Sequence, residues 1–298
     1  MKNTQQITKA MKMVAASKLR RSQERVISAR PYAIQMQRVL RSVAARVDSS
    51  IHPLLSLRDR SPDSRTLVIV ITGDKGLCGS FNTNVIKGAA TYVGGSADPC
   101  VLGLIGRRGR DFFARRRFET MFERIGIADK PTFAHAEDIG EVAVDAFTSG
   151  QVDRVMLVYN EFRSVMSQRV VVDQLLPIAH ADVEGAPSAG GEHVGDVTST
   201  GETVAGESGP PGSHIDYLYE PAAAEIFEQL LPRYVDVQVY RALLESTAAF
   251  FAAQMTAMDT ATKNATDMIA SLTLYMNKVR QAAITREIIE VVSGAEAL

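Results

Sequence analysis

Between Arg233 and Ser293 the chain has neither glycine nor proline, and nothing else in its 298 residues limits the fold as strongly. Tyr240, Leu244, Thr247, Phe251, Gln254, Met258, Ala261, Ala265, Met268, Leu272, Tyr275, Val279, Ala282, Arg286 and Ile289 follow one another at spacings that alternate between four and three. A seam kept over so many heptads predicts one helix of a coiled coil. Sixty-one residues make a rod of about 90 Å, whereas a compact globule of this chain length is roughly 50 Å across. Part of the helix must project beyond the body. At its far end Ala282, Ala283, Ile284, Ile288, Ile289, Val291 and Val292 surround the axis instead of forming one stripe. A helix apolar all round is a buried helix, so this end calls for a sleeve made by other chains.

The N-terminal segment has a matching pattern at Val26, Ala29, Ala33, Met36, Leu40, Val43 and Val47. Upstream, Ile7, Met11 and Val14 form a stripe in another phase, which reads as a stutter. Pro31 falls inside the pattern and predicts a kink in one helix, the alternative being two separate helices.

Between the rods the grammar changes. Thr66 to Thr72 is a continuous apolar, β-branched run, followed by a glycine-rich turn and a helical stretch from about Asn82 to Val93. Val101 to Ile105, Arg154 to Tyr159 and Ser167 to Val172 read as further strands, with helical segments at Gly109 to Phe118 and Ala136 to Thr148. Short apolar strands alternating with helices predict an α/β layer structure, with the strand near Val170 as an antiparallel edge. Residues 181–214 hold eight glycines, three prolines and four serines, a composition that suits a surface insertion. The expected organisation is therefore a long antiparallel coiled coil of the N- and C-terminal helices plus a central Rossmann-like α/β domain. Its parts are an N-terminal coiled-coil helix at 1–58, an α/β foot at 65–180, the acidic Gly-rich insertion at 181–214 and a C-terminal coiled-coil helix at 215–298.

Charge is divided along the chain. Residues 1–46 carry eleven Lys or Arg against the single acid Glu24, a balance of +10, so the remainder carries −11 within a total of −1. Residues 181–214 contribute six acids and no Lys or Arg. The basic rod would attract phosphates or acidic protein surfaces, and a basic coiled-coil RNA-binding protein is one reading of it. Tyr32 is the rod's one aromatic residue, which argues against stacking on single-stranded bases. Arg107, Arg108 and Arg110, with Arg115, Arg116 and Arg117, form a second basic cluster beside Phe112 and Phe113. It could meet RNA or acidic protein, and a solvated helix face is the simpler reading.

No catalytic constellation stands out. The turn from Gly73 to Asn82 sits where a phosphate-binding loop would, and a nucleotide-dependent enzyme is the rival reading it raises. It fits neither G-x-x-x-x-G-K-[ST] nor G-x-G-x-x-G, so a tight structural turn is expected. Cys78 has no His close in sequence and reads as a small buried residue, while His52, His135, His180, His193 and His214 are scattered without ligand or triad spacing. No cofactor, metal or catalytic residue is expected. The chain has no run of eighteen apolar residues and no secretory signal pattern at its start.

Four segments carry a resemblance. They are Lys2 to Leu19 (KNTQQITKAMKMVAASKL), the turn at Gly73 to Asn82, Asp216-Tyr217-Leu218-Tyr219-Glu220-Pro221, and Asn277 to Glu287 (NKVRQAAITRE), and together they span nearly the whole chain. In these the chain resembles the gamma subunit of F-type ATP synthase. The resemblance implies a non-catalytic central rotor shaft, one copy per complex, inserted in the hexamer of alpha and beta subunits with its foot on the c-ring and beside the epsilon subunit. It implies a peripheral position at the cytoplasmic face of a bacterial membrane, with no nucleic acid bound. Contacts to beta and alpha map onto Lys9, Met11, Lys12, Arg280, Gln281, Thr285 and Glu287, and contacts to c-ring and epsilon onto Tyr217, Tyr219 and Glu220. Two departures stand out. The family's first helix usually starts well upstream of the Lys2-Asn3-Thr4-Gln5 motif, so either this start is internal or the upper coiled coil is short. The insertion at 181–214 has no cysteine pair, so a thiol switch is not expected there.

Overall fold

The computed structural model describes residues 1–44, 52–56, 64–178 and 223–296. Two helices frame a five-stranded sheet. Helix α1 runs from Lys2–Ala44, and β1 (Thr66–Ile71), α2 (Phe81–Gly95), β2 (Cys100–Ile105), α3 (Arg107–Ala114), β3 (Thr120–Arg124), α4 (Phe133–Thr148), β4 (Arg154–Phe162) and β5 (Gln168–Leu176) follow. Helix α5, Ala223–Glu296, closes the chain with 74 residues, about 110 Å of rod.

The strands are ordered β3-β2-β1-β4-β5. The first four neighbours pair in parallel, and β5 pairs antiparallel to β4 with Val158 opposite Val172. All six residues of β1 are buried, which is why its sequence is uninterrupted by polar side chains: both faces are covered. Leu67, Ile69 and Ile71 point into a core shared with α1, α4 and α5. Val68 and Val70 point the other way, into a core with α2 and α3 built around Phe113. Strand β5 is mostly half-buried, as befits the expected antiparallel edge. The opposite edge, β3, was not foreseen; Thr120-Met121-Phe122-Glu123-Arg124 has only one fully buried side chain, Phe122. Gly103 on β2 leaves room for that ring, since a Cβ there would lie 2.5 Å from Phe122 Cζ.

Helix α5 begins ten residues before the glycine- and proline-free run and passes through Pro232. A proline inside a helix costs roughly 3 kcal/mol. Phe227, Leu231, Tyr234 and Val235, one turn either side, are buried in the main core, and at roughly 1.5–3 kcal/mol for each such side chain their burial outweighs that cost. Pro31 likewise lies within a single continuous α1, so the two-helix alternative does not hold.

The two long helices lie antiparallel. Gln5 Nε2 donates to Thr266 Oγ1 (2.7 Å), Thr262 Oγ1 to Thr8 Oγ1 (2.9 Å), and Lys12 Nζ to Asp259 (2.5 Å), while Lys18 Nζ stands 5.1 Å from the centre of the Phe251 ring. The α1 face turned to α5 passes through Thr8, Lys12, Ala15, Leu19, Ser22 and Val26. Its spacings of four and three continue, without a stutter, into Ala29, Ala33, Met36, Leu40 and Val43. The stutter read from Ile7, Met11 and Val14 is thus corrected: Ile7 and Val14 are 59% and 57% exposed, whereas Ala15 and Leu19 are buried. Polar seam members at Thr8, Lys12 and Ser22 conceal the true phase in the sequence.

Candidate functional site

Two surfaces of this framework combine apolar side chains with solvent access. The first is the end of α5. Leu244, Thr247, Phe251, Met258 and Ala265 of its seam are buried. Beyond Thr266, the partner of Gln5 near the start of α1, no other described helix accompanies α5 as it runs on to Glu296, about 45 Å of rod. Met268, Leu272, Tyr275 and Val279, which continue the same seam, are 48%, 46%, 66% and 48% exposed. Every residue from 271 to 293 is exposed. Arg280, Gln281, Thr285 and Glu287 all stand on this free stretch, and Thr285 Oγ1 donates back to Gln281 O (2.9 Å) one turn earlier. At 100° per residue, Ile284 and Ile288 fall between these four polar side chains around the axis. Both are apolar and 48% and 58% exposed, so charged and apolar contacts share one face.

The second surface is the collar where shaft meets foot. The β1–α2 turn approaches α5 so closely that a Cβ on Gly73 would lie 2.8 Å from the Phe250 ring. Its geometry is held from within: Asn82 Oδ1 accepts the Gly73 N–H (2.9 Å), and Asn82 Nδ2 donates to Lys75 O (3.1 Å). Leu77 and Gly79 take positive φ, 63° and 57°. This is the tight turn expected, with the Gly73 amide bonded inside it. Cys78 is buried at 3% exposure, and burial pushes its thiol pKa up, which suits a packing residue and opposes a nucleophile. Asp74 Oδ1 ties this turn to its neighbours by accepting the N–H groups of Arg107 (3.1 Å) and Gly126 (3.0 Å). The loop from β3 to α4 reaches the shaft as well, with Thr247 Oγ1 donating to Ala128 O (2.9 Å).

Met11 lies at this collar. It is half-buried and lines a groove of about 340 Å³ with Ile7, Val14, Phe250, Phe251, Lys75 and Asp129 among its walls. Lys75 Nζ donates to Asp129 Oδ2 (2.6 Å), and Lys18 Nζ lies 3.8 Å from the same oxygen. Bonding to Asp129 is the main cause of the raised Lys75 pKa, and Asp129 Oδ1 is buried without a partner. Lys12 is committed within the chain: Asp259 accepts from Lys12 and from Lys263 (3.0 Å), and these bonds hold its pKa below the ordinary carboxylate value. Lys9 is exposed. Met11 and Lys12 thus sit together where the shaft leaves the foot, Lys9 one turn away, and the Arg280 to Glu287 group is far along α5. Phe250 and Asp129 complete the collar groove with Phe251 of the α5 seam; Phe250 and Asp129 escape the sequence reading, since their contribution depends on which helix face meets which loop. Tyr217, Tyr219 and Glu220, and the insertion at 181–214, lie outside the described residues.

Among the described residues no group of three or more His, Cys, Asp or Glu could hold a metal ion, and no helix is long and apolar enough to cross a membrane. A foot carrying an antiparallel two-helix stalk, whose longer helix ends in exposed apolar side chains, fits a shaft-type protein of a larger assembly. The comparisons name the assembly. The family model described as ATP synthase matches residues 1–298. The chain is 46% identical over 301 residues to the ATP synthase gamma chain of Solibacter usitatus, covering 99% of this chain and 94% of that one. It is 44% identical to the gamma chain of Desulfitobacterium hafniense, covering 100% and 95%. Among solved structures it is similar to a chain of the central stalk and c-ring structure of the Tetrahymena thermophila mitochondrial ATP synthase, at 26% identity and a TM-score of 0.58, over 86% of this chain and 99% of that one. The chain belongs to the ATP synthase gamma-subunit family, the central-stalk subunit of the rotary enzyme. The RNA-binding alternative finds no support in these likenesses.

Proposed function

We infer that this chain works as a non-catalytic rotor shaft whose two contact surfaces, the collar and the bare end of α5, meet the alpha and beta subunits of a catalytic hexamer. The foot is the part that rests on the c-ring and the epsilon subunit at the cytoplasmic face of a bacterial membrane, one copy per complex. The observation that carries this reading is the unsheathed end of α5: some 45 Å of helix with apolar residues on all sides, among them Leu274 at 72% and Val291 at 73% exposure. Isolated, such a surface is a liability. Surrounded by a ring of apolar side chains, it becomes a bearing, gaining burial in every orientation and favouring none.

A bearing alone does not couple. Coupling requires that rotation change what each surrounding site touches, because a ligand or partner shifts a conformational equilibrium only through contacts that differ between states. The collar supplies that asymmetry. On one side the shaft presents the Met11 groove with Lys18 and Lys75 beside it, and β subunits passing that side meet both positive charge and apolar surface. Lys9, Met11 and Lys12 at the collar and Arg280, Gln281, Thr285 and Glu287 above it are the residues proposed to face beta and alpha. Tyr217, Tyr219 and Glu220 are proposed for the c-ring and epsilon contacts.

Co-expression tests this reading. A tagged chain is expected to recover alpha, beta and epsilon at one shaft per hexamer, and membrane vesicles lacking it are expected to lose ATP-driven proton pumping. Recovery of the chain alone, or of RNA that dissociates with salt, would overturn it.

A further inference from the structure

The outer face of α3 and the turn after it carry a charge that the rotor reading does not use. Arg107, Arg108, Arg115, Arg116 and Arg117 are all exposed, and none forms an ion pair among the described residues. Arg110 alone is matched, by Asp111 at 2.7 Å. Asp111 serves more than that one partner: its carboxyl is held below the ordinary range first by the bond from Arg110, and also by the charges of Arg107 and Arg115. Arg116 lies over the Phe112 ring, its Cζ 3.7 Å from the ring centre. That contact fixes a guanidinium against an aromatic face and lowers the entropy lost when it binds an anion. Six arginines to one acid over residues 107–117 leave a strongly positive, unpartnered helix face.

The chain carries a complement to it. Residues 181–214 contain six carboxylates, from Asp182 to Glu207, and no Lys or Arg. Sheet register brings the two within reach. Leu176 at the end of β5 is opposite Val155, which lies in one row with Leu67 and Val101, and Thr120, which opens β3, pairs with the next residue, Leu102. The end of β5 and the Arg115–Arg117 turn leading into β3 therefore lie at the same end of the strands, where the parallel strands begin, although β5 and β3 form opposite edges of the sheet. Four strand spacings separate them, about 19 Å. Six residues of extended chain span up to about 20 Å, so from Ile178 every carboxylate from Glu184 onward can reach the turn. A tethered anion within that radius is present at an effective concentration on the order of millimolar, an advantage that no untethered acidic partner has.

We propose that the arginine face of α3 and the Arg115–Arg117 turn is the docking surface for this chain's own acidic segment, residues 181–214, held by carboxylate–guanidinium contacts. This stands independently of the rotor reading. It is tested in the assembled complex with the substitutions Arg115→Lys, Arg116→Lys and Arg117→Lys, which keep every charge at exposed positions and add amines. A zero-length carbodiimide reagent then joins those amines to any carboxylate in contact, and the linked peptides are read by mass spectrometry. Intrachain links to carboxylates between Asp182 and Glu207 are expected. Their yield should fall about tenfold when salt is raised to about 0.5 M, where screening acts within roughly 4 Å. Links only to carboxylates elsewhere in the chain or on another subunit, no links, or a yield indifferent to salt would each overturn the proposal.

Discussion

Replacing Ile284, Ile288 and Val291 together by Gln separates a bearing surface from a merely solvent-exposed helix end. The three lie within one narrow arc of α5 and are 48%, 58% and 73% exposed. In the free chain they have little left to lose. Surface substitutions away from packed features change stability by about 0.5 kcal/mol or less, and Gln is a good helix former, so the thermal midpoint of the isolated chain by circular dichroism should not move measurably. Inside a sleeve the balance differs. Full burial of such a side chain is worth roughly 1.5–3 kcal/mol, and since half or more of each is still exposed, insertion contributes about 1 kcal/mol apiece. Each buried amide without a partner adds about 1 kcal/mol or more of cost. The triple variant should therefore lose about 6 kcal/mol of association free energy, a weakening of roughly 10⁴-fold in affinity for the alpha–beta hexamer. Sedimentation velocity or fluorescence titration of labelled chain into hexamer measures it. Binding within about threefold of the unaltered chain would refute the bearing argument. A clear drop in the free chain's midpoint would show instead that these side chains are packed before assembly.

Gly106 has φ of 89°, and a Cβ there would lie 2.1 Å from Thr72 O, a backbone atom that cannot move aside. Gly106→Ala should cost more than about 3 kcal/mol and leave little soluble chain, and a near-native melting midpoint would contradict the geometry. Asp236, wedged against Gly140 of α4, has its pKa raised from 3.8 to about 6, mainly by burial. A carboxyl with a raised folded-state pKa favours folding when protonated, so stability should decline as pH rises from about 4 through about 6. Asp236→Asn should flatten that dependence in melts from pH 4 to 7 and raise the midpoint at pH 7; an unaltered pH profile would remove Asp236 as its source. Leu19→Ala, at a side chain 4% exposed on the seam, should cost about 2–5 kcal/mol. Val14→Ala, five residues earlier at 57% exposure, should cost about 0.5 kcal/mol or less, and the reverse order in denaturant titrations would restore the stutter.

What could be read from the sequence follows from how each signal arises. Strand β1 was visible because burial on both faces leaves no polar position in it, and α5 because sixty-one residues without glycine or proline admit few other structures. Strand β3 was not visible: an edge strand covered on one side carries Glu123 and Arg124 as readily as apolar residues, and its only marker, Phe122, is explained by the gap at Gly103 on another strand. The same limit explains the seam of α1. Hydrophobic periodicity reports where apolar side chains recur, and at the collar they recur in two places, on the face toward α5 and on the face left open. Where Thr8, Lys12 and Ser22 occupy seam positions through hydrogen bonds and an ion pair to α5 or simple close packing, the apolar signal there is weak, and the open stripe of Ile7, Met11 and Val14 is the stronger pattern. A pattern that misleads about the fold in this way is informative about function. A helix that places its polar residues against its own partner and its apolar ones outward has a second partner to meet, and the groove those outward residues line with Phe250 and Phe251 is where the shaft leaves the foot.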